Sequence, residues 1–210
     1  MKKLLIIAIV VFTAGAVNAQ SSSNPDGVKF GIKAGANFSN IIKTDDSNFN
    51  TEFKPGFNAG LTMEIPVVNR LAFAPELMFS QKGYKQTGSF LDVATEYSVT
   101  TNFIEIPILA KINATDKFSF VIGPQVSFLS STTVKFTSGD QSTQNRVKET
   151  NDNLKKSLVG GVAGFGYDFT KALSLNGRYA LDLQKNNENG TSGTPVYKNQ
   201  VFQLGLGFKF

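Results

Sequence analysis

The sequence predicts an all-β protein, an eight-stranded antiparallel transmembrane β-barrel with up-and-down topology. Three observations predict it. The chain begins with an export signal. Apolar and polar side chains alternate with a period of two. The connections between the predicted strands alternate between long and short.

The export signal occupies the first 19 residues. Met1 to Lys3 is positively charged, Leu4 to Val17 is an almost unbroken apolar run, and Val17 to Ala19 offers small residues for a signal peptidase. The alternative is a membrane anchor, but the run is shorter than the roughly 20 residues that a spanning helix needs. We therefore expect cleavage after Ala19. The predicted domains are a signal peptide (1–19), a flexible segment (20–27) and a barrel (28–210).

The composition excludes several kinds of function. The chain has 210 residues with no His and no Cys, so a Ser–His–acid triad, thiolate chemistry and disulfides are ruled out. Without Lys2 and Lys3 the mature charge is 19 minus 16, or +3, which is too mild to indicate nucleic acid. We predict no enzyme, cofactor or metal site. The loop 45–48 could meet Ca²⁺, although a solvated loop explains it better.

Eight segments alternate in the strand period. In the first, Phe30 and Ile32 share one face while Lys29, Gly31 and Lys33 share the other. No later apolar run approaches the length of a spanning helix, so strands closed into a barrel must make any membrane crossing. The predicted strands are 28–38, 57–65, 71–80, 103–112, 118–128, 159–168, 173–182 and 201–210.

The connections sort by length. Three are short, at 66–70, 113–117 and 168–172, as expected of periplasmic turns. The other four are long and polar, as expected of extracellular loops, and they span 39–55, 82–97, 130–156 and 183–198.

Side-chain size predicts which face points outward. The apolar faces carry twelve of the 19 Phe, whereas the opposite faces carry many Gly and Ala with isolated charges. Eight strands enclose an interior barely wide enough for side chains, so the bulky face should meet lipid. A soluble barrel with an apolar interior is the alternative. The predicted lumen charges are Lys29, Lys33, Glu64, Glu76, Glu105, Lys111, Arg178 and Lys209.

These lumen charges have two interpretations. The carboxylates could form a proton-handling pair or a selectivity ring, or they could pair with the cations and plug the bore. Buried charges need partners, and cations share the inner face, so we favour the plug.

The last strand and the aromatic residues suggest further roles. We predict that outward Phe202, Leu204, Leu206, Phe208 and Phe210 form the signal that the barrel-assembly machinery recognises. Aromatic girdles are predicted at both membrane interfaces. The extracellular set is Tyr84, Tyr97, Tyr179 and Tyr197, and the periplasmic set is Phe118, Tyr167, Phe169 and Phe210.

The chain resembles the porin-like outer-membrane β-barrel family often labelled the PorT family. The matching stretches are VKFGIKAGANFS at 28–39, FIEIPIL at 103–109, GPQ at 123–125 and FQLGLGFKF at 202–210. The resemblance implies an eight-stranded barrel in the outer membrane. It implies no single activity, since one namesake serves a protein-secretion machine and most members have no assigned role.

Three functions are compatible with the sequence. The first is a structural or surface-interaction barrel with its long loops outside, above all the charged loop 130–156. The second is a narrow pore for small solutes, and the third is an accessory barrel in protein secretion or assembly. The expected partners are outer-membrane lipid, the assembly machinery and an unidentified extracellular or secretion partner.

Overall fold

The computed structural model describes residues 27–43, 51–90, 93–139, 141–147, 155–186 and 196–210. The predicted signal peptide and nearly all of the predicted flexible segment lie outside these residues, as does the loop 45–48. Nine β-strands occur in the described ranges. They are β1 Lys29–Lys43, β2 Glu52–Val68, β3 Leu71–Phe90, β4 Val93–Asn113, β5 Phe118–Ser138, β6 Gln141–Val147, β7 Ser157–Asp168, β8 Leu173–Asp182 and β9 Tyr197–Lys209.

Eight of the strands form a closed antiparallel ring. Each ring strand pairs with its neighbours along the chain, β5 pairs with β7, and β1 pairs with β9 to close the circle. The prediction of an eight-stranded up-and-down barrel is confirmed. β6 stands outside the ring and pairs with the last third of β5. The described residues contain no helix that is long and apolar enough to cross a bilayer.

The seam between the first and last strands is regular. β1 pairs with β9 from Gly31 opposite Lys209 to Lys43 opposite Tyr197, without a register shift. Gly35 lies opposite Gly205, and a Cβ atom on Gly35 would lie 2.6 Å from the Gly205 Cα. Glycine is therefore needed on this inner surface, where the two backbones approach closely.

The strands reach further than the sequence predicted on the long-loop side. The predicted loop 82–97 is largely strand, because β3 runs to Phe90 and β4 starts at Val93. The predicted loop 130–156 holds the end of β5 and all of β6. These extensions are rich in Ser and Thr on both faces, so they lack the apolar–polar contrast by which a half-buried strand is recognised.

A bulge also interrupts the pattern in β5. Phe103 is paired with Leu129, but its neighbour Asn102 is paired with Ser131, so Ser130 is an extra residue. Side chains on opposite sides of a bulge exchange faces relative to a strict period of two. The alternation therefore breaks at the point where the sequence analysis ended this strand.

The large apolar side chains point away from the bore. Phe57, Phe73, Ile122 and Leu204 are 50%, 41%, 58% and 51% exposed on the single chain, which fits a lipid-facing surface. The prediction that the bulky face points outward is confirmed.

Candidate functional site

A buried triad of charges crosses the bore in its periplasmic half. We call it the lower triad, and it joins Lys33 of β1, Glu76 of β3 and Arg178 of β8. Lys33 Nζ lies 2.7 Å from Glu76 Oε2. Arg178 Nη1 and Nη2 donate to Glu76 Oε2 and Oε1, both at 2.7 Å. One carboxylate therefore holds two cations, and all three side chains are at most 6% exposed.

A glycine on the next strand makes room for the arginine. Gly164 of β7 lies opposite Arg178, and a Cβ atom on Gly164 would lie 2.7 Å from the Arg178 Cγ. Small residues on the inner face thus leave space for the long charged side chains that fill a narrow bore.

A second triad lies in the extracellular half, and its signs are reversed. In this upper triad, Lys82 Nζ lies 2.6 Å from Glu105 Oε1 and 3.5 Å from Asp182 Oδ1. Asn199 donates to the other Asp182 oxygen at 2.6 Å, and the Lys82 ammonium sits 5.1 Å from the ring centroid of Phe103. The triad's side chains are only 1–2% exposed.

Part of the upper triad was not predicted from the sequence. Glu105 was among the predicted lumen charges, but Lys82 was assigned to a loop and Asp182 was left out of the charge set. The signal was present, because Ser80, Lys82 and Tyr84 continue the alternation of β3, and all three are buried.

An apolar septum separates the two triads. On β8, Ala180 lies between Arg178 and Asp182, and its side chain is buried. On β4, Leu109 lies between Glu105 and Lys111 and is 1% exposed. The septum is part of an apolar cluster of Ala74, Leu109, Val121, Val162, Ala180 and Val201, of which Ala74 and Val121 also line a cavity beside Glu76 and Arg178.

Two further ion pairs line the periplasmic end. Lys111 Nζ lies 2.7 Å from Glu64 Oε2, and Lys209 Nζ lies 2.8 Å from Asp168 Oδ2. These pairs stand between an outer vestibule of about 790 Å³ and an inner cavity of about 60 Å³ below the lower triad. Lys29, also predicted as a lumen charge, is exposed and lines both spaces.

Aromatic residues cap the extracellular end of the bore. Tyr84 and Tyr197 meet at a centroid distance of 5.5 Å and pack with Ile41 and Val99. Burial raises the pKa of both phenols, so they stay uncharged well above neutral pH. The prediction that Tyr84 and Tyr197 belong to a lipid-facing girdle is wrong, because their side chains face inward. Phe53, Tyr179 and Phe202 cluster there instead.

Along the described strands the bore is filled by paired charges, buried polar side chains and apolar clusters. Five cations and five carboxylates are joined in ion pairs in it, and apolar layers lie between and above the two triads. Among the described residues, no group of three or more His, Cys, Asp or Glu side chains could hold a metal ion.

The family of the chain follows from its sequence. Residues 18–188 match the model of the outer membrane protein beta-barrel domain family. The chain belongs to this family. The predicted resemblance to an outer-membrane barrel family and the predicted location in the outer membrane are confirmed. A sequence comparison with curated proteins finds no match.

Three solved outer-membrane proteins are similar to this chain, and the first of them shares its fold. Neisserial surface protein A is 14% identical over 88% of this chain and 99% of its own, with a TM-score of 0.51. The attachment invasion locus protein Ail of Yersinia pestis is 13% identical over 87% and 98%, with a TM-score of 0.47. The outer membrane protease OmpT of Escherichia coli is 10% identical over 90% and 98%, also with a TM-score of 0.47.

The last strand of this outer-membrane barrel has an apolar outer face. The side chains predicted as an assembly signal all point outward and are 48–75% exposed; they are Phe202, Leu204, Leu206, Phe208 and Phe210. The inner face of the same strand carries Gly205 and Gly207. The strand thus separates a lipid-facing apolar row from a small-residue face toward the bore.

Proposed function

We propose that this protein is a closed outer-membrane barrel that presents an extracellular β-sheet for interaction with another protein. The observation behind the proposal is the length of the strands on one side. β3, β4 and β5 have 20 or 21 residues, whereas a crossing needs about 9–11. Their outer halves extend roughly 30 Å past the membrane-spanning band.

The projecting sheet is suited to water and to contact with a partner. It contains the outer parts of β3, β4 and β5 together with β6, in that order. Its chain segments are rich in Ser, Thr and Gln, so they do not belong in lipid. Such a sheet, held on a rigid barrel, offers a fixed surface for recognition.

The filled bore favours this role over passage of solutes. A transported solute would have to displace both triads and the septum, and removing partners from buried ions costs several kcal/mol. An interaction role rather than an enzymatic one is also favoured by the lack of any histidine in the chain. We further propose that the outer row of β9 is read by the assembly machinery.

A shortened hairpin tests the surface role. In the variant, Asn-Gly replaces residues 88–95 between the paired residues Thr87 and Glu96, because this dipeptide forms a two-residue hairpin turn. We expect the variant to fold, judged by heat-modifiable gel mobility, but to lose adhesion of expressing cells to one another and to immobilised matrix proteins. The matched control is Lys117→Gln, in an exposed periplasmic turn.

Two results would contradict the proposal. One is a folded hairpin variant that adheres as well as the control in each assay. The other is large, steady conductance by the purified wild-type barrel in a planar bilayer, since the ion pairs and apolar layers should block the bore.

A further inference from the structure

The strand β6 lies at the free side of the projecting sheet. It pairs with β5 from Gln141 opposite Ser138 to Val147 opposite Thr132. It is the last strand in the order of the sheet, and within the ranges that the structure describes no strand pairs with its second edge. An unpaired edge is a template on which a strand of another chain can add.

The sequence of β6 does not protect this edge. Proteins commonly block an exposed edge with proline, with lysine or with a bulge. The strand reads QSTQNRV, which contains no proline, glycine or lysine, and its only charged residue is Arg146. Its pairing with β5 continues without a register shift. The edge is therefore regular and open to pairing.

The turn before β6 determines which backbone groups point to the free edge. Only residues 139 and 140 connect β5 to β6, and Gly139 has a φ of 54°, as a primed two-residue hairpin turn requires. In such a turn the flanking residues Ser138 and Gln141 form a hydrogen-bonded pair. Hydrogen-bonded pairs alternate with pairs whose N–H and C=O groups point away from the partner strand. The β6 residues whose backbone groups point to the free edge are therefore Ser142, Gln144 and Arg146.

We propose that this edge pairs with the same edge of a second copy of the chain, in an antiparallel register centred on Gln144. Gln144 then faces Gln144 of the second copy, and Ser142 faces Arg146. All three residues present free N–H and C=O groups, so the three facing pairs exchange about six backbone hydrogen bonds. No charge faces a like charge in this register, because the single arginine faces a serine.

The symmetry of this pairing places the two barrels in opposite membranes. Two antiparallel strands in one sheet are related by a two-fold axis perpendicular to the sheet. Since β5 continues the barrel wall, that axis lies parallel to the membrane plane, and a half turn about it reverses the membrane normal. Two copies in the same membrane are related by an axis along the normal, which cannot make these strands antiparallel. The pairing therefore joins apposed cells, and it rests on the proposed surface role, whose partner it names.

Tethering of vesicles tests the pairing with the full-length mature barrel. Two differently labelled populations of phosphatidylcholine vesicles carry the protein, and their co-localisation is measured against empty vesicles. We expect wild-type vesicles to tether, because many weak pairings act together. Gln144→Pro removes an edge N–H that β5 does not use and should reduce tethering about tenfold. The matched control Gln144→Ala keeps the backbone donor and should tether as wild type.

A pair of charge variants tests the register. In the cationic variant, Ser142→Arg places a positive charge opposite Arg146 of the second copy. In the anionic variant, Ser142→Glu with Arg146→Glu places negative charges opposite each other. Each variant should tether poorly to itself, whereas the two mixed should tether about tenfold better, since opposite charges then face each other. Recovery in the mixture also shows that both variants fold.

Three results would overturn the pairing. Wild-type vesicles could fail to tether, Gln144→Pro could tether as well as Gln144→Ala, or the mixed charge variants could tether no better than each alone. Failure of the surface role itself is recognised separately, by the adhesion of the variant shortened at 88–95 to immobilised matrix proteins. If that variant loses this adhesion while wild-type vesicles do not tether, the surface role stands and its partner is not a second copy.

Discussion

The two triads of the bore have the same arrangement, one central charge between two charges of the opposite sign, but the signs of their charges are reversed. In the lower triad one carboxylate, Glu76, joins two cations, and in the upper triad one cation, Lys82, joins two carboxylates. The lower triad alone has a net charge of +1 and the upper one of −1. Neither is neutral, so the bore is balanced only when both are present.

The central residue of each triad should therefore contribute more to stability than either outer residue. Removing an outer residue leaves one ion pair intact. Removing the central residue leaves two buried charges of the same sign without their partner, and breaking a buried pair typically costs 3–5 kcal/mol. The upper triad is also the more buried, with side chains 1–2% exposed against 4–6% in the lower one.

The largest effect is expected for Lys82→Met. It leaves Glu105 and Asp182 facing each other without a cation, and we expect a loss of about 5 kcal/mol in the free energy of unfolding. Reversible urea unfolding in lipid vesicles measures it. The triple variant Lys82→Met, Glu105→Gln, Asp182→Asn removes all three charges and should recover more than half of the loss. A single variant within about 1 kcal/mol of wild type would refute this account.

Glu76→Gln should cost somewhat less, about 3–4 kcal/mol. It leaves Lys33 and Arg178 as unpaired cations, but the amide oxygen still accepts one hydrogen bond, and the cavity below gives the cations more polar surroundings. The same unfolding assay applies. If Glu76→Gln loses as much free energy of unfolding as Lys82→Met, or more, then the more buried triad is not the one that contributes more to stability.

Arg178→Ala should cost about 2 kcal/mol, less than either central substitution, because Lys33 continues to pair with Glu76. Its matched partner is Lys33→Met, which leaves the bidentate arginine pair in place and should cost a similar amount. If either variant loses as much free energy of unfolding as Glu76→Gln, the stability of the lower triad does not depend chiefly on its central carboxylate.

The smallest effect is expected for Lys85→Ala, outside the membrane-spanning band. Lys85 and Glu96 are 3.3 Å apart and are 32% and 38% exposed. Exposed pairs contribute about 0–1 kcal/mol, so unfolding in urea should shift by less than about 0.5 kcal/mol. If Lys85→Ala changes the free energy of unfolding as much as Arg178→Ala does, this exposed ion pair contributes as much to stability as a buried pair of the bore.

The membrane-spanning part of the strands and the projecting sheet also differ in how well their residues could be placed from the sequence. Where one face meets lipid and the other the bore, alternation placed Lys33, Glu76 and Arg178 on the inner face correctly. It could not pair them, because they come from three strands whose relative heights depend on the tilt of the barrel. On β3 the outward side chains are apolar up to Phe79 and polar from Gln81 onward. The apolar–polar alternation that predicts a strand therefore ends one residue before Lys82.

The seam between β1 and β9 has a consequence for how the barrel can close. Sliding one strand by two residues keeps every side chain on its proper face, so alternation alone does not prevent such a slip. In the native register Lys209 faces Gly31. A slip in one direction would place Lys209 opposite Lys33, and a slip in the other would place it opposite Lys29. Like charges directly opposite each other repel, so one lysine flanked by two others selects the correct closure.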